Sequence, residues 1–439
     1  MDFWDATIRF FSLTDANVRW VVLGSALLGG AAGGLGAFAF LQRKSLLGDV
    51  LAHAALPGVG LAFLIIGTKQ FAFLLLGAAV AAWLGALAIN AIMRHTKIKQ
   101  DAALGIVLST FFGLGIVILT YIQKTGVGSQ SGLNVFLFGQ AAAMGPDDVK
   151  ILAVVGALLL IVMGAAFGRF KLITFDAGFA RSAGIRVGWW QFLLTTMIVL
   201  AVVIGLQAVG VVLMAALLVI PAASARQWTD RLGLLIVLAS IFGIVSGVLG
   251  AYFSSLAPRL PTGPFVVVAV SVVFLFSILF APQRGLVSRW RQHLQNRRKM
   301  SDDHILKVLF KACGESGAPA NARSPEEIAD LWSFTMSELR SGLKRLTRRG
   351  LLNKVDGNRF CLTPDGHSAG AAVVRRHRLW EVYLTRYLDL PHDHVHRDAE
   401  DMEHIMTPQM EKQLEELLDR PERDPHDQVI PYEPREAER

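Results

Sequence analysis

The sequence predicts an all-α polytopic membrane protein with eight or nine transmembrane helices, followed by a charged cytoplasmic part that folds as a winged helix and a helical pair. The first reason is composition: the 439 residues are 53% hydrophobic and only 18% charged, with a mean hydropathy of +0.45. Soluble globular chains are about a quarter charged. The second reason is the distribution of charge, since the first glutamate is Glu315 and only nine of the 35 acidic residues precede Met300. The net charge of +8 suits basic inner loops of a membrane protein or a nucleic-acid binder.

The change in composition along the chain also predicts its domain organisation. The expected parts are a transmembrane domain over 1–285, a basic linker over 286–300, a winged helix-turn-helix domain over 301–370, a helical domain over 371–425 and a disordered tail over 426–439. The two cysteines, Cys313 and Cys361, leave no disulfide framework, which fits a reducing compartment.

Nine segments of the first domain are apolar over the roughly 20 residues that a membrane-spanning helix needs. They are 18–41, 46–67, 71–93, 101–121, 150–168, 190–206, 209–224, 232–254 and 264–281. The pair 190–206 and 209–224 has an alternative interpretation, as one long helix plus a re-entrant piece broken near Gly205 and Gly210. Eight and nine spans therefore both remain open at this point.

Basic residues in the short loops predict the orientation, because cytoplasmic loops carry an excess of Lys and Arg. One set of alternate loops contains Arg43, Lys44, Arg94, Lys97, Lys99, Arg169, Lys171, Arg181, Arg186, Arg226 and Arg231. The other set contains only Lys69, Lys124 and Arg259. We therefore expect a multi-pass protein of the plasma membrane, surrounded by lipid, with the first set of loops and the C-terminal domain in the cytoplasm. Two crossings in 190–224 keep Arg226 and Arg231 inside, which favours nine spans.

The first span contains two overlapping GxxxG spacings, formed by Gly29, Gly30, Gly33 and Gly34. Small residues at this spacing let two helices approach closely. The partner helix belongs either to a second subunit or to the same chain, and we favour the same chain.

An intramembrane carboxylate and imidazole stand out in the second span. Asp49 and His53 are four residues apart and hence share one helix face, and Pro57-Gly58 one turn later loosens the helix. A carboxylate oxygen beside an imidazole nitrogen supplies half of a site for a first-row divalent metal. The alternative is that Asp49 caps a helix or pairs with Arg43.

The segment LLGDVLAHAALPG at Leu46–Gly58 resembles the signature of permease subunits of the zinc/manganese/iron ABC importer family. The resemblance continues through Leu133–Gly139, Phe175–Gly184, Val209–Ala223 and Pro261–Pro264, and it covers roughly residues 15–282. It implies a permease homodimer, two cytoplasmic ATP-binding cassette ATPase subunits and an extracytoplasmic metal-binding protein. It also implies that Asp49 and His53 belong to the metal pathway, and that the ATPase docks on the segment with Asp176, Arg181 and Gly184.

The charged part begins with the pattern of a winged helix. Ser324-Pro-Glu-Glu is a helix start, with Ser as the N-cap and Pro at the first helical position. A second helix follows over Met336–Arg349, and Gly350–Gly366 predicts a two-stranded wing with its turn at Asp356-Gly357. The second helix carries a basic face suited to DNA phosphates, formed by Arg340, Lys344, Arg345, Arg348 and Arg349. Because the domain is tethered to a membrane, protein interaction is the favoured alternative.

The helical pair that follows contains residues with metal-ligand spacing. His377 and Glu381 are four apart on one helix, and Glu400, Glu403 and His404 point to one side of another. From spacing alone, an amphipathic helix with acids facing water explains the pattern equally well.

Residues 301–425 nevertheless resemble the diphtheria-toxin-repressor family of metal-dependent regulators, whose helical part binds metal and dimerises. The resemblance implies one ligand set of His377, Glu381 and His396, a second set of Glu400, Glu403 and His404, and a ligand at His304. The oxygen ligand at Glu400 favours Mn²⁺ or Fe²⁺ over metals that prefer soft ligands. Lys307 replaces an acidic ligand, which puts the completeness of one site in doubt.

These observations together predict a membrane permease subunit of an ATP-driven importer for a divalent transition metal, with a fused cytoplasmic metal-sensing domain. Mn²⁺ is the foremost substrate and metal ligand, with Fe²⁺ or Zn²⁺ as alternatives. The chain contains no GxxxxGK[ST] phosphate loop, so we expect no enzyme activity and ATP hydrolysis by a separate subunit. The alternative is a membrane-tethered, metal-responsive DNA-binding regulator, although an anchor needs one helix and not nine.

Overall fold

A computed structural model describes residues 3–12, 14–67, 71–124, 145–257, 260–313, 322–332, 334–355, 358–388 and 406–432. The chain divides into two compact units, Met1–Arg289 and Trp290–Arg439. Each unit has its own buried apolar cluster.

The first unit is built entirely of helices in its described residues. They are α1 (Phe3–Ser12), α2 (Ala16–Leu41), α3 (Leu47–Ile66), α4 (Phe71–His95), α5 (Gln100–Lys124), α6 (Pro146–Ala165), α7 (Phe167–Phe175), α8 (Ala177–Ser182), α9 (Val187–Val209), α10 (Val211–Trp228), α11 (Leu232–Ser255) and α12 (Thr262–Phe280). Eight helices in the described part of the chain are long and apolar enough to cross a membrane. The predicted all-α polytopic fold is therefore confirmed.

The glycines of α2 pack inside the subunit, against α11. A Cβ atom on Gly29 would overlap the backbone oxygen of Gly243, and one on Gly33 would overlap the backbone oxygen of Ala239. Backbone therefore lies on backbone, which is possible only because the side chains are absent at these positions. These two glycines serve packing within the chain, and the interpretation as a dimer seam is wrong for them.

The region predicted as either one or two crossings forms two helices, α9 and α10, separated at Gly210, where φ is +86°. Gln191 near the start of α9 donates a hydrogen bond to Gln42 at the end of α2, with a distance of 3.0 Å. Helix α11 runs antiparallel to α2, so the start of α11 lies at the end of the bundle where α2 ends. Helix α10 ends just before α11 begins, and hence at this same end. The chain thus leaves this end along α9 and returns towards it along α10, although α10 is not among the eight helices counted above.

Helix α13 (Leu286–Cys313) contains the division between the two units, so the predicted basic linker over 286–300 is helical. The second unit continues with α14 (Pro325–Leu331), α15 (Met336–Arg348), β1 (Leu352–Val355), β2 (Arg359–Leu362), α16 (Pro364–Leu388) and α17 (Pro408–Leu417). The two strands pair antiparallel, with Leu352 opposite Leu362. The predicted helix-turn-helix and wing are therefore present, while the predicted turn residues Asp356 and Gly357 lie outside the described residues.

The winged helix has a local physical basis. Ser324 accepts a hydrogen bond from the Glu327 amide, and the Glu327 carboxylate accepts one from the Ser324 amide, which forms a capping box at the start of α14. Leu339, Leu343 and Leu346 on α15 are buried in the core of this domain.

The predicted disordered tail over 426–439 is only partly within the described residues. Ile430 is buried in a cluster with Leu379 and Leu418, and Arg423 forms a β-bridge with Val429. Residues 426–432 are therefore ordered, contrary to the prediction, and 433–439 lie outside the described residues.

Candidate metal pathway and cytoplasmic metal-ligand pair

Helix α3 places Asp49 and His53 on one face, as their spacing predicts. The Asp49 Oδ1 and His53 Nε2 atoms are 3.4 Å apart, and the two side chains are 30% and 14% exposed. The N-cap of α3 is Leu46 and provides no side-chain hydrogen bond, so Asp49 is not the cap. Asp49 instead contacts His53, which leaves the carboxylate and the imidazole side by side.

His53 presents further donor atoms to a cation. Its Nδ1 atom is buried and has no hydrogen-bond partner among the described residues. Its ring lies edge-on to Phe112 of α5, with the ring centroids 4.8 Å apart. Pro57 lies four residues later inside the helix and has no N–H, so the His53 carbonyl lacks the amide donor that an α-helix normally provides. An imidazole nitrogen, a carbonyl oxygen and a carboxylate thus lie within about one turn.

This donor set fits a first-row divalent cation. A buried nitrogen without a partner is energetically unfavourable, and coordination of a metal ion would satisfy it. The described residues contain no group of three or more His, Cys, Asp or Glu side chains placed to hold a metal. The predicted pathway pair would by itself supply only part of a coordination shell.

The predicted docking segment is the turn between α7 and α8 together with the residues that follow. Asp176 is the N-cap of α8, where its Oδ1 accepts a hydrogen bond from the Phe179 amide at 2.8 Å. Gly184 has a φ of +76°, which a residue with a Cβ rarely adopts. Arg181 is exposed. Asp176 and Gly184 thus shape the segment, and Arg181 is available to a partner.

Two side chains that the sequence reasoning did not single out dominate the surface of this segment. Phe175 and Phe179 are 62% and 58% exposed. Phe175 ends α7 and Phe179 lies in α8, and exposed aromatic side chains of this kind are typical of a protein interface. The sequence contained a signal for this exposed pair, because both residues lie in a predicted cytoplasmic loop and not in an apolar segment that faces lipid.

The basic face of the winged helix is divided between a surface cavity and an ion pair. Arg340 and Lys344 line a cavity of about 490 Å³ together with Lys354 of β1. Arg345 instead donates hydrogen bonds to Asp302 of α13, with distances of 2.7 and 3.1 Å to Oδ1 from Nη2 and Nε. Asp302 is buried, so this pair belongs to the domain's interior. Arg345 is therefore a structural residue, and the prediction that it contacts DNA is not supported by its position.

Of the predicted cytoplasmic metal ligands, the structure brings His377 and Glu381 together on α16. The His377 Nε2 and Glu381 Oε1 atoms are 3.2 Å apart, and both residues are 2% exposed. Lys307 of α13 is equally buried, and its Nζ lies 3.2 Å from His377 Nδ1. His304 contacts Trp332, with the ring centroids 4.9 Å apart and the ring planes tilted by 41°.

The other predicted ligands, His396, Glu400, Glu403 and His404, lie outside the described residues. The same applies to Leu133–Gly139 of the permease signature.

Residues 14–281, more than half of the chain, match the ABC 3 transport family. The chain belongs to this family. It is 42% identical to the manganese transport system membrane protein MntC of Bacillus subtilis (strain 168) over 381 residues, which is 87% of each chain. It is 44% identical to the zinc transport system membrane protein TroC of Treponema pallidum (strain Nichols) over 288 residues, 65% of this chain and 96% of the relative.

A solved structure of PsaBC from Streptococcus pneumoniae in complex with Fab is also similar. It matches with a TM-score of 0.57 and 31% identity, over 65% of this chain and 99% of the other chain. Residues 363–432 match a second family, the iron dependent repressor metal binding and dimerisation domain. This member of the ABC 3 family is thus a multi-pass plasma-membrane permease of the metal-transport type with a fused repressor-like cytoplasmic domain.

Proposed function

We propose that this permease is the membrane subunit of an ATP-driven importer that carries a divalent transition metal, with Mn²⁺ as the foremost substrate and Fe²⁺ or Zn²⁺ as alternatives. One observation carries the proposal: within the ABC 3 domain, the buried His53 Nδ1 has no partner among the described residues, and the Asp49 carboxylate lies beside the same ring. A dehydrated cation in an apolar surrounding needs such donors.

The identity of the ion is supported by donor chemistry and by the relatives. Oxygen donors from Asp49 and the His53 carbonyl, with a single imidazole, suit Mn²⁺ and Fe²⁺ as well as Zn²⁺. The MntC relative, which matches over 87% of this chain, is a manganese system by its name, and the TroC relative is a zinc system. The longer match favours manganese.

Asp49 and His53 hold the ion briefly in this proposal. The carboxylate provides one negative charge, and the neutral imidazole offers a nitrogen lone pair that no described residue engages. A coordination shell with few protein ligands binds the ion weakly enough to release it on the other side of the membrane, because each missing ligand makes binding less favourable.

The remaining parts of the machine are supplied by partners. The complete importer consists, in this proposal, of a homodimer of the permease, two ATP-binding cassette subunits and an extracytoplasmic metal-binding protein. The ATPase is a separate subunit because this chain contains no phosphate loop. The exposed Phe175 and Phe179, with Arg181 beside them, are the proposed contact for the ATPase.

The C-terminal unit has a proposed role in sensing cytoplasmic metal, because residues 363–432 match a metal-binding domain. Glu400, Glu403 and His404 are the proposed ligands. DNA binding is the second candidate for this unit, and the cavity lined by Arg340, Lys344 and Lys354 favours it. In that case the chain would be a membrane-tethered regulator, and labelled duplex DNA should bind with an affinity that falls as salt rises.

Uptake of radiolabelled Mn²⁺, Fe²⁺ and Zn²⁺ in competition, by cells that express the chain with its ATPase, tests the transport proposal. Asp49→Ala and His53→Ala should each abolish uptake at limiting metal and leave the amount of protein in the membrane unchanged. The matched controls are Asp101→Ala and His95→Ala, because both residues are exposed at helix ends. Normal uptake by both pathway variants would refute the assignment.

A further inference from the structure

A groove with a volume of about 480 Å³ lies between α4 and α9 of the membrane unit. Its wall on α4 changes from cationic to apolar along the helix. Arg94, in the last turn of α4, lines the end on the predicted cytoplasmic side. Trp83 lines the groove further into the span, with its ring centroid 5.5 Å from that of Phe192 on α9. Because Trp83 and Arg94 are eleven positions apart in one helix, the groove extends about 16 Å along α4.

The α4 wall of the groove carries polar side chains on the outside of a membrane-spanning helix. Leu87, Asn90 and Arg94 lie on one face of α4, at spacings of three and four residues, and all three are exposed. The helix is one of the eight that are long and apolar enough to cross a membrane. Hydrocarbon offers no partner to an amide or a guanidinium, so these groups need a polar ligand at this depth.

The charge of the groove selects an anion. None of the residues that line it is acidic, and a second arginine, Arg181 of the predicted cytoplasmic segment, lines it together with Arg94. Neither arginine forms an ion pair with a carboxylate in the part of the chain that the structure describes. A third cation, Lys44, lines a small adjoining cavity with Asn90 and Thr195, which also line the groove. A negative group in the groove would therefore be attracted by several positive charges.

We propose that this groove binds one anionic phospholipid of the cytoplasmic leaflet, with the lipid phosphate at Arg94 and Arg181 and an acyl chain along Leu87 towards Trp83. Basic pockets between helices at the cytoplasmic face suit such headgroups. A free phosphate ion would use only the cationic end, whereas a phospholipid also covers the apolar wall. Arg181 belongs to the proposed ATPase contact as well, so Arg94 is the residue that tests the lipid site independently of docking.

Quenching of tryptophan fluorescence by brominated lipids, measured on the full-length chain in phosphatidylcholine bilayers, tests the proposal. A small fraction of phosphatidylglycerol with brominated acyl chains should quench Trp83 more strongly than the same fraction of brominated phosphatidylcholine. The chain contains nine tryptophans, so the signal of Trp83 is taken in each background as the difference from the matching Trp83→Phe variant.

Arg94→Gln should reduce the preference for phosphatidylglycerol about fivefold, as expected for one basic residue beside anionic lipid. Arg94→Lys should keep most of the preference, because the charge remains. The matched control is Lys97→Gln, since Lys97 is exposed just beyond the same helix and does not line the groove.

Equal quenching by the two brominated lipids in the wild type would overturn the proposal. The same follows if Arg94→Gln and Lys97→Gln have the same effect, because the preference would then come from the general surface charge. Absence of Trp83 quenching by either lipid would show that a protein partner, such as a second permease subunit, covers the groove. If excess inorganic phosphate removes the preference and chloride of equal ionic strength does not, the site binds phosphate ions and the assignment to lipid is wrong. Uptake assays of the Asp49 and His53 variants are independent of these results.

Discussion

Replacing Arg345 with Met should destabilise the C-terminal unit, because it leaves the Asp302 carboxylate buried beside one distant cation. The Asp302 side chain is only 8% exposed, and its remaining partner is Arg349, whose Nη1 lies 3.8 Å from the Asp302 Oδ2. Removal of one partner from a buried pair costs about 3–5 kcal/mol. The Arg345 side chain is 30% exposed, so solvent screening reduces this to about 2 kcal/mol. For a unit of about 150 residues, a destabilisation of this size lowers the melting temperature by roughly 6 °C.

The assay is thermal unfolding of the full-length chain in detergent. Unfolding of the C-terminal unit is detected by its cleavage by a protease at each temperature. Arg340→Met is the matched control, since Arg340 is an exposed arginine on the same helix. Combining Arg345→Met with Asp302→Asn should recover part of the loss, because no buried charge then remains unpaired. If Arg345→Met and Arg340→Met melt at the same temperature, the ion pair has no structural role and Arg345 returns as a candidate DNA contact.

Three further predictions concern the packing, docking and capping of the chain. Gly29→Ala should lower the melting temperature of the membrane unit in detergent by several degrees, because overpacking costs about 1–3 kcal/mol. The control Gly156→Ala should leave the melting temperature unchanged, because no atom lies within 4 Å of the added Cβ. Equal melting temperatures of the two variants would contradict the packing account. Glu in place of both Arg181 and Arg186 should reduce co-purification of the ATPase, and unchanged recovery would count against the docking segment. The backbone hydrogen bond from Ser324 lowers the pKa of Glu327. This group therefore stabilises the folded state above the unfolded pKa of about 4.3, and the benefit is lost as the pH falls further. Glu327→Gln should flatten the dependence of stability on pH between about 5 and 3, and a profile identical to that of the wild type would show that the cap contributes nothing.

The sequence predicts most of the helices of the membrane unit because each apolar run is long enough to span lipid by itself. The pair of Asp49 and His53 is predictable for the same local reason, since a spacing of four fixes two side chains on one helix face. The capping box at Ser324 and the hairpin of the wing are also local signals.

Contacts between distant segments are what the sequence could not supply. The basic stripe of α15 gives no sign that Arg345 pairs with Asp302, which lies 43 residues earlier. Nor does the apolar composition of α2 show that Gly29 meets Gly243 rather than a second subunit. The break between α9 and α10 falls at Gly210 and not at Gly205, because only Gly210 has the positive φ that ends a helix. The departure at Lys307 was visible in the sequence, but its contact with His377 required the structure.

The backbone packing of α2 on α11 restricts how the permease can move. At Gly29 and Gly33 the two backbones are in contact, so no side chain that could slide or change rotamer lies between the helices at these positions. Shear motions depend on such side chains, because they proceed by small rearrangements of interdigitated layers. We therefore expect α2 and α11 to move together in the proposed transport cycle. The displacement that the proposed transport needs would then be absorbed elsewhere, and Gly210 between α9 and α10, with a φ of +86°, is a backbone position able to act as a hinge.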